Sequence, residues 1–169
     1  MNRFLNRFLR RSLLCVLTLL LLLDSTSVFA APVVPKKEAL KIARRYVPSG
    51  SKLTESEWEK GSSNWEFDFL TKNRKVKYEV AIDGTSGKLL EVEKECRCFP
   101  RACRYSVSKK AAKKKVLKTF KGAKIVKIAK KTRKCARVYK ITFTTPTYRA
   151  AAVVHGRSGK IIAWEKKFR

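Results

Sequence analysis

The chain carries one run of residues twice. Asp83-Gly84-Thr85-Ser86-Gly87-Lys88-Leu89-Leu90 returns 72 positions later as His155-Gly156-Arg157-Ser158-Gly159-Lys160-Ile161-Ile162. The same spacing takes Phe67 and Phe69 to Tyr139 and Ile141, Leu53 to Ile125, Ala39 to Ala111, and Glu93-Lys94 to Glu165-Lys166. One constant offset with no net insertion favours two copies of a small unit over one large domain.

Periodicity outlines that unit. In the first copy, Ala39, Ala43 and Tyr46 recur at helical spacing, and Pro48-Ser49-Gly50 stops the helix. Period-two segments follow: Leu53–Glu59, Trp65–Phe69 with three rings on one face and Glu66 and Asp68 on the other, and Val76–Ile82. Asp83–Gly87 reads as a turn whose two glycines take positive φ, and Lys88–Glu95 as the last strand. In the second copy Ser108 caps a helix through Phe120, with Ala112, Val116 and Phe120 on one stripe and Gly122 as its stop. Lys124–Lys130, Ala136–Thr144, Tyr148–His155 and Lys160–Phe168 read as strands, with Thr145-Pro146-Thr147 joining two of them. The expected fold class is α+β, two tandem small modules, each one helix packed on an antiparallel β-meander.

Residues 1–30 read as a secretory leader. Arg3, Arg7, Arg10 and Arg11 precede an apolar run from Leu13 to Leu23, and Val28-Phe29-Ala30 supplies the small residues of a cleavage site. The run is shorter than the ~20 residues of a membrane span, which favours cleavage over anchoring. Cutting after Ala30 is preferred to cutting after Ala31, which would leave Pro32 next to the cut. The domain plan is then a leader at 1–30, a first module at 31–95, a junction at 96–107 and a second module at 108–169. Units this small bury little surface alone and need support from each other or from cross-links.

The segment from Lys37-Glu38-Ala39-Leu40 through the aromatic strand to Val80-Ala81-Ile82-Asp83-Gly84-Thr85-Ser86-Gly87-Lys88 resembles the PepSY domain. That family occurs in propeptides of secreted thermolysin-like metalloproteases and in exported or membrane-bound bacterial proteins. The resemblance runs over Pro35–Glu95 and Ser108–Lys167. It implies a non-catalytic extracytoplasmic module that binds or inhibits a peptidase. The second copy departs from the pattern: His155 replaces the aspartate, and the strand carboxylates are gone.

Export changes how cysteines read. Beyond Cys15 of the leader the chain has Cys96, Cys98, Cys103 and Cys135, an even number that points to disulfides in an oxidising compartment. A Cys96–Cys98 bridge would be strained, which leaves Cys103 or Cys135 as partner for each. The competing reading is a four-cysteine zinc site, for which the spacing is unusual.

Charge separates the copies. Residues 31–95 hold 13 Lys and Arg against 11 Asp and Glu, whereas residues 96–169 hold 24 against Glu165 alone. The excess lies on Lys109, Lys110, Lys113, Lys114, Lys115, Lys118, Lys121, Lys124, Lys127, Lys130, Lys131, Arg133 and Lys134, the candidate anion-binding residues. Such a field destabilises a compact state unless a partner offsets it. The expected partner is an anionic polymer, an anionic envelope surface or an acidic protein. Regulation of a secreted peptidase and cationic membrane activity are the rival readings. Nucleic acid would be met through phosphates alone, without sequence-specific recognition. His155, the only histidine, reads as a solvated turn residue rather than a base. The sequence has no phosphate loop or His-rich cluster, so neither catalysis nor a cofactor is expected.

Overall fold

The computed structural model describes Val34–Arg169; the leader, with Ala30 and Ala31, lies outside the described residues. The elements follow in two rounds. The first is α1 (Lys36–Ala43) with a short 3-10 turn at Arg44–Tyr46, then β1 (Lys52–Glu59), β2 (Asn64–Leu70), β3 (Val76–Asp83) and β4 (Leu89–Cys96). The second is α2 (Lys109–Thr119), β5 (Lys124–Arg133), β6 (Ala136–Thr144), β7 (Tyr148–His155) and β8 (Ile161–Phe168). All eight strands form one antiparallel sheet in the order β1-β2-β3-β4-β8-β7-β6-β5. The architecture is α+β, and the two expected meanders are fused edge to edge through β4 and β8.

Residues opposed on neighbouring strands share a face, so two transverse rows describe the sheet. One runs Ser56, Phe67, Val80, Val92, Lys166, Ala150, Phe143, Ile125. Ala39 and Ala43 of α1 pack on its first half, on Phe67, Phe69, Tyr78, Val80, Ile82 and Val92. Ala112 and Val116 of α2, with Phe120, pack on its second half, on Tyr139, Ile141, Phe143, Ala150, Ala152 and Val154. Both helices therefore cover the same face, and Trp164 touches both clusters. Burial of each large side chain here contributes roughly 1.5–3 kcal/mol. The second row runs Glu55, Asp68, Glu79, Glu93, Glu165, Ala151, Thr142, Lys127 on the helix-free face.

The repeat offset is not constant across the sheet. Phe67 opposes Val80, while Ile141 opposes Ala152, so on β2 and β6 the spacing is 74 rather than 72. Phe67 and Phe69 thus correspond to Ile141 and Phe143, and Trp65 to Tyr139. Two residues gained between β5 and β6 are lost again between β6 and β7, which conceals the shift from a comparison of the ends. The strand irregularities do recur at 72, at Leu53/Glu55 and Ile125/Lys127 and at Ala81/Ile82 and Val153/Val154.

Only the second glycine of each repeated turn has positive φ, 71° at Gly87 and 66° at Gly159. The first answers to crowding. A β-carbon on Gly84 would strike the Trp58 ring, and one on Gly156 would lie 2.5 Å from the Arg137 carbonyl oxygen.

Candidate functional site

The basic residues are distributed over one helix and one edge strand. In α2 the Ser108 hydroxyl accepts from the Ala111 N–H at 3.1 Å, which satisfies one free donor of the first turn. The stripe Ala112, Val116, Phe120 is buried, leaving Lys109, Lys110, Lys113, Lys114, Lys115 and Lys118 exposed. The first turn holds no acidic residue, so Lys109 and Lys110 oppose the helix dipole while Lys118 complements it. Lys121 and Lys124 continue the exposed set into β5.

On β5 the lysines divide between faces. Lys130 opposes Tyr139 on the helix side, its Nζ 4.9 Å from the centre of the Tyr105 ring. Lys127 and Lys131 oppose Thr142 and Val138 on the helix-free side. Arg133 and Lys134 are engaged elsewhere: both reach Glu95 Oε1, at 3.0 and 2.9 Å. The Lys134 hydrogen bond, against some desolvation and with help from Arg133, holds the Glu95 carboxyl below its usual range. Among the described residues, none of Lys109, Lys110, Lys113, Lys114, Lys115, Lys118, Lys121, Lys124, Lys127 and Lys131 is in an ion pair.

The helix-free face of β1–β4 has the opposite sign. Glu55, Glu57, Glu66, Asp68, Glu79, Glu91 and Glu93 line two adjoining troughs there, with Lys77 among them. Lys77 Nζ bridges Asp68 at 2.6 Å and Glu79 at 2.7 Å. Desolvation opposes its charge, but the two carboxylates outweigh it and raise its pKa. Period-two alternation places each of these carboxylates outward. It does not show that register sets Glu79, Glu93 and Glu165 side by side. Desolvation, then the charges of Glu79 and Glu165, push Glu93 up, and desolvation likewise raises Glu91.

Like charges directly opposed on neighbouring strands destabilise a sheet by roughly 0.2–1 kcal/mol. Glu93→Gln is therefore expected to stabilise the fold. A carboxyl whose folded pKa is raised binds its proton more readily in the native state, so its contribution is lost as pH rises through that pKa. Glutamine resembles the protonated form. The advantage of Glu93→Gln over the parent should be larger at about pH 8 than at about pH 4.5, where ordinary glutamates titrate. Urea unfolding at the two values measures it, and an equal difference at both would refute the assignment.

His155 departs from expectation: it is buried, with 1% of its surface exposed. Its Nδ1 accepts from the Ser158 N–H at 3.3 Å and lies 2.8 Å from Ser158 Oγ. Nε2 donates to the Pro100 carbonyl at 2.9 Å, and Phe99 packs edge-on against the ring. Asp83 closes the equivalent turn through Oδ1, which accepts from the N–H groups of Thr85 and Ser86 and from the Ser86 hydroxyl. The junction makes the difference. It crosses the helix-free side of the second half, where Ala102 bridges Ala136 and covers Val138 and Ile162.

That crossing also gathers the cysteines. Cys96 packs beneath the junction, Cys98 shares a surface pocket with Lys134, and Cys103 and Cys135 flank the Ala102–Ala136 bridge. Among the described residues the expected disulfides are not present: Cys96, Cys98, Cys103 and Cys135 are free thiols, with only Cys96 partly buried. Among the described residues no group of three or more His, Cys, Asp or Glu is placed to hold a metal ion. Sequence reasoning also passed over Lys166. Its Nζ lies 4.9 Å from the ring centres of Tyr148 and Trp164 and 5.5 Å from that of Phe120, and burial lowers its pKa.

Residues 33–93 match the PepSY family, described as Peptidase propeptide and YPEB domain. The matched segment spans α1 and nearly all of β1–β4. No curated protein matches the chain. Among solved structures, a proposed lipoprotein from Clostridium difficile 630 is similar at 15% identity and a TM-score of 0.36, over 82% of this chain and 96% of that one. The C-terminal domain of YpeB from Bacillus megaterium is similar at 14% identity and a TM-score of 0.31, over 85% and 70% of the two chains. TM-scores this low do not establish a shared fold.

Proposed function

We propose that the chain is an extracytoplasmic, non-catalytic binding protein of two tandem PepSY-like modules, whose basic second module holds an anionic polymer or envelope surface. The observation that carries this reading is the set of exposed, unpaired lysines on α2 and β5. The single acidic residue of that half, Glu165, is already bound to Lys167 at 3.2 Å. The repeated order of elements and the recurring strand irregularities support the tandem reading. Because Ala112, Val116 and Phe120 are buried, α2 offers an anionic surface its lysines but no apolar stripe for a bilayer interior.

Titration with a sulfated polysaccharide at increasing salt tests the proposal. Affinity is expected to fall linearly on a double-logarithmic plot, as it does when cations displace a polymer's condensed counterions. A flat plot would exclude the charged-surface mechanism.

A second reading rests on the family match over 33–93: the PepSY half regulates a secreted peptidase, with its acidic, helix-free sheet face as the contact. A thermolysin-like protease whose rate is unchanged by saturating amounts of the purified protein would count against it.

A further inference from the structure

We propose that the two outer strands of the sheet, β1 and β5, whose outer edges no described strand pairs with, pair with each other between copies of this chain, acidic edge to basic edge. A sheet that ends in unpaired strands presents rows of free backbone donors and acceptors that template another strand. Every neighbouring pair is antiparallel and there are eight strands, so β1 and β5 run in opposite directions. A second copy placed alongside by simple translation therefore sets its β1 antiparallel to β5 of the first, with the helices of both copies on one side.

The side chains select that arrangement. On the helix-free side β1 presents Glu55, Glu57 and Glu59, all exposed. On the same side β5 presents Lys127, Ala129 and Lys131, with both lysines exposed. A register that places Glu59 opposite Lys127 also places Glu55 opposite Lys131. It sets Trp58 against Ile128 on the helix side, where each is half-buried in the single copy. Pairing like edges would instead align Glu with Glu or Lys with Lys, which is repulsive.

The irregularities at Leu53/Glu55 and Ile125/Lys127 confine regular pairing to Glu55–Glu59 and Lys127–Arg133. The contact is thus short and its affinity low. A head-to-tail contact made by translation does not close at two copies, so the product is an open chain of copies. Each added copy would add another basic half, which multiplies attachment to a polymer without any new contact.

Sedimentation velocity of the purified protein without polyanion, up to about 1 mM where weak contacts populate, tests this independently of polymer binding. Species larger than monomer should grow with concentration. Reversing one edge, by Glu55→Lys with Glu57→Lys and Glu59→Lys or by Lys127→Glu with Lys131→Glu, should weaken association by about tenfold or more. Mixing the two variants in equal amounts should restore it, because each then offers the other an edge of opposite sign. A monomeric parent, association that survives either reversal, or a mixture that stays monomeric would each overturn the proposal. Should a variant fail to fold, hydrogen exchange of the unaltered protein decides. Outward amides of Glu55–Glu59 and Lys127–Lys131 must slow as concentration rises, and unchanged exchange refutes the pairing.

Discussion

Replacing Lys113, Lys114, Lys115 and Lys118 together with glutamine is expected to weaken binding to an anionic surface about a thousandfold at physiological salt. A lysine close to such a surface contributes roughly 1 kcal/mol, so four contribute about 4. The four side chains are exposed and make no ion pair with any described residue. Glutamine has nearly the same helix propensity, so α2 should persist, and removing mutual repulsion should leave stability equal or higher. If each contact releases counterions as on a nucleic acid, the salt dependence should flatten by about 3 on the logarithmic scale. The control is the same exchange at Lys37, Lys41, Lys52 and Lys60, exposed lysines of the first half. Equal losses from both quadruple variants would mean that net charge, rather than the α2 surface, sets the affinity.

The other large effect is expected at His155. Replacing it with alanine removes the acceptor for Ser158 and the donor to Pro100 in one step, at a position that is 1% exposed. Loss of the hydrogen bond to the part-buried Pro100 carbonyl costs about 0.5–1.5 kcal/mol, and the lost ring volume adds a cavity cost, so a total of about 3 kcal/mol is expected. His155→Asp separates the two roles. It restores the turn acceptor that Asp83 provides in the first half, but it leaves Pro100 without a donor and brings a carboxylate under the junction. Urea unfolding should rank the parent well above both variants. Limited trypsin cleavage after Arg97, Arg101 and Arg104 should accelerate in both, since the junction loses its tether. An aspartate variant as stable as the parent would show that only the turn matters.

How much of this could be read in advance differs by scale. Local features were legible because short-range patterns cause them. Alternation at Trp65, Phe67 and Phe69 put the rings under α1, and Ala112, Val116 and Phe120 marked the buried stripe of α2. Asp83 bonds its own turn because a short carboxylate reaches backbone N–H groups two and three residues ahead. What escaped depends on distant chain. The 74-residue offset on β6 is compensated within two loops and leaves the ends in step. His155 occupies a position that is solvent-facing in the first half and is buried only because Phe99 and Pro100 cross over it. Joining β4 to β8 requires knowing which strand ends remain free, and alternation is silent on that. The lysines were visible as a run, but their division between two faces, and the engagement of Arg133 and Lys134 by Glu95, follow from sheet register and from a hairpin reaching back.

The β4–β8 seam has a geometric consequence. Glu93 opposes Glu165, which stands 72 positions later in the chain; with the two halves read as the tandem units proposed above, a local two-fold axis passes between them. A residue on such an axis can only meet its own equivalent. Any charge placed there in a matched pair of units is confronted by the same charge, and no exchange made equally in both units relieves it. Release must come from a change in one unit alone. Lys167 is such a change: it stands where the first half has Glu95, and its Nζ reaches Glu91 and Glu165 at 3.2 Å each. Once two units are joined in one chain their sequences are free to diverge, and the seam is where divergence brings relief soonest. The opposite charges of the two halves, and of the two outer edges, are the same freedom expressed away from the axis.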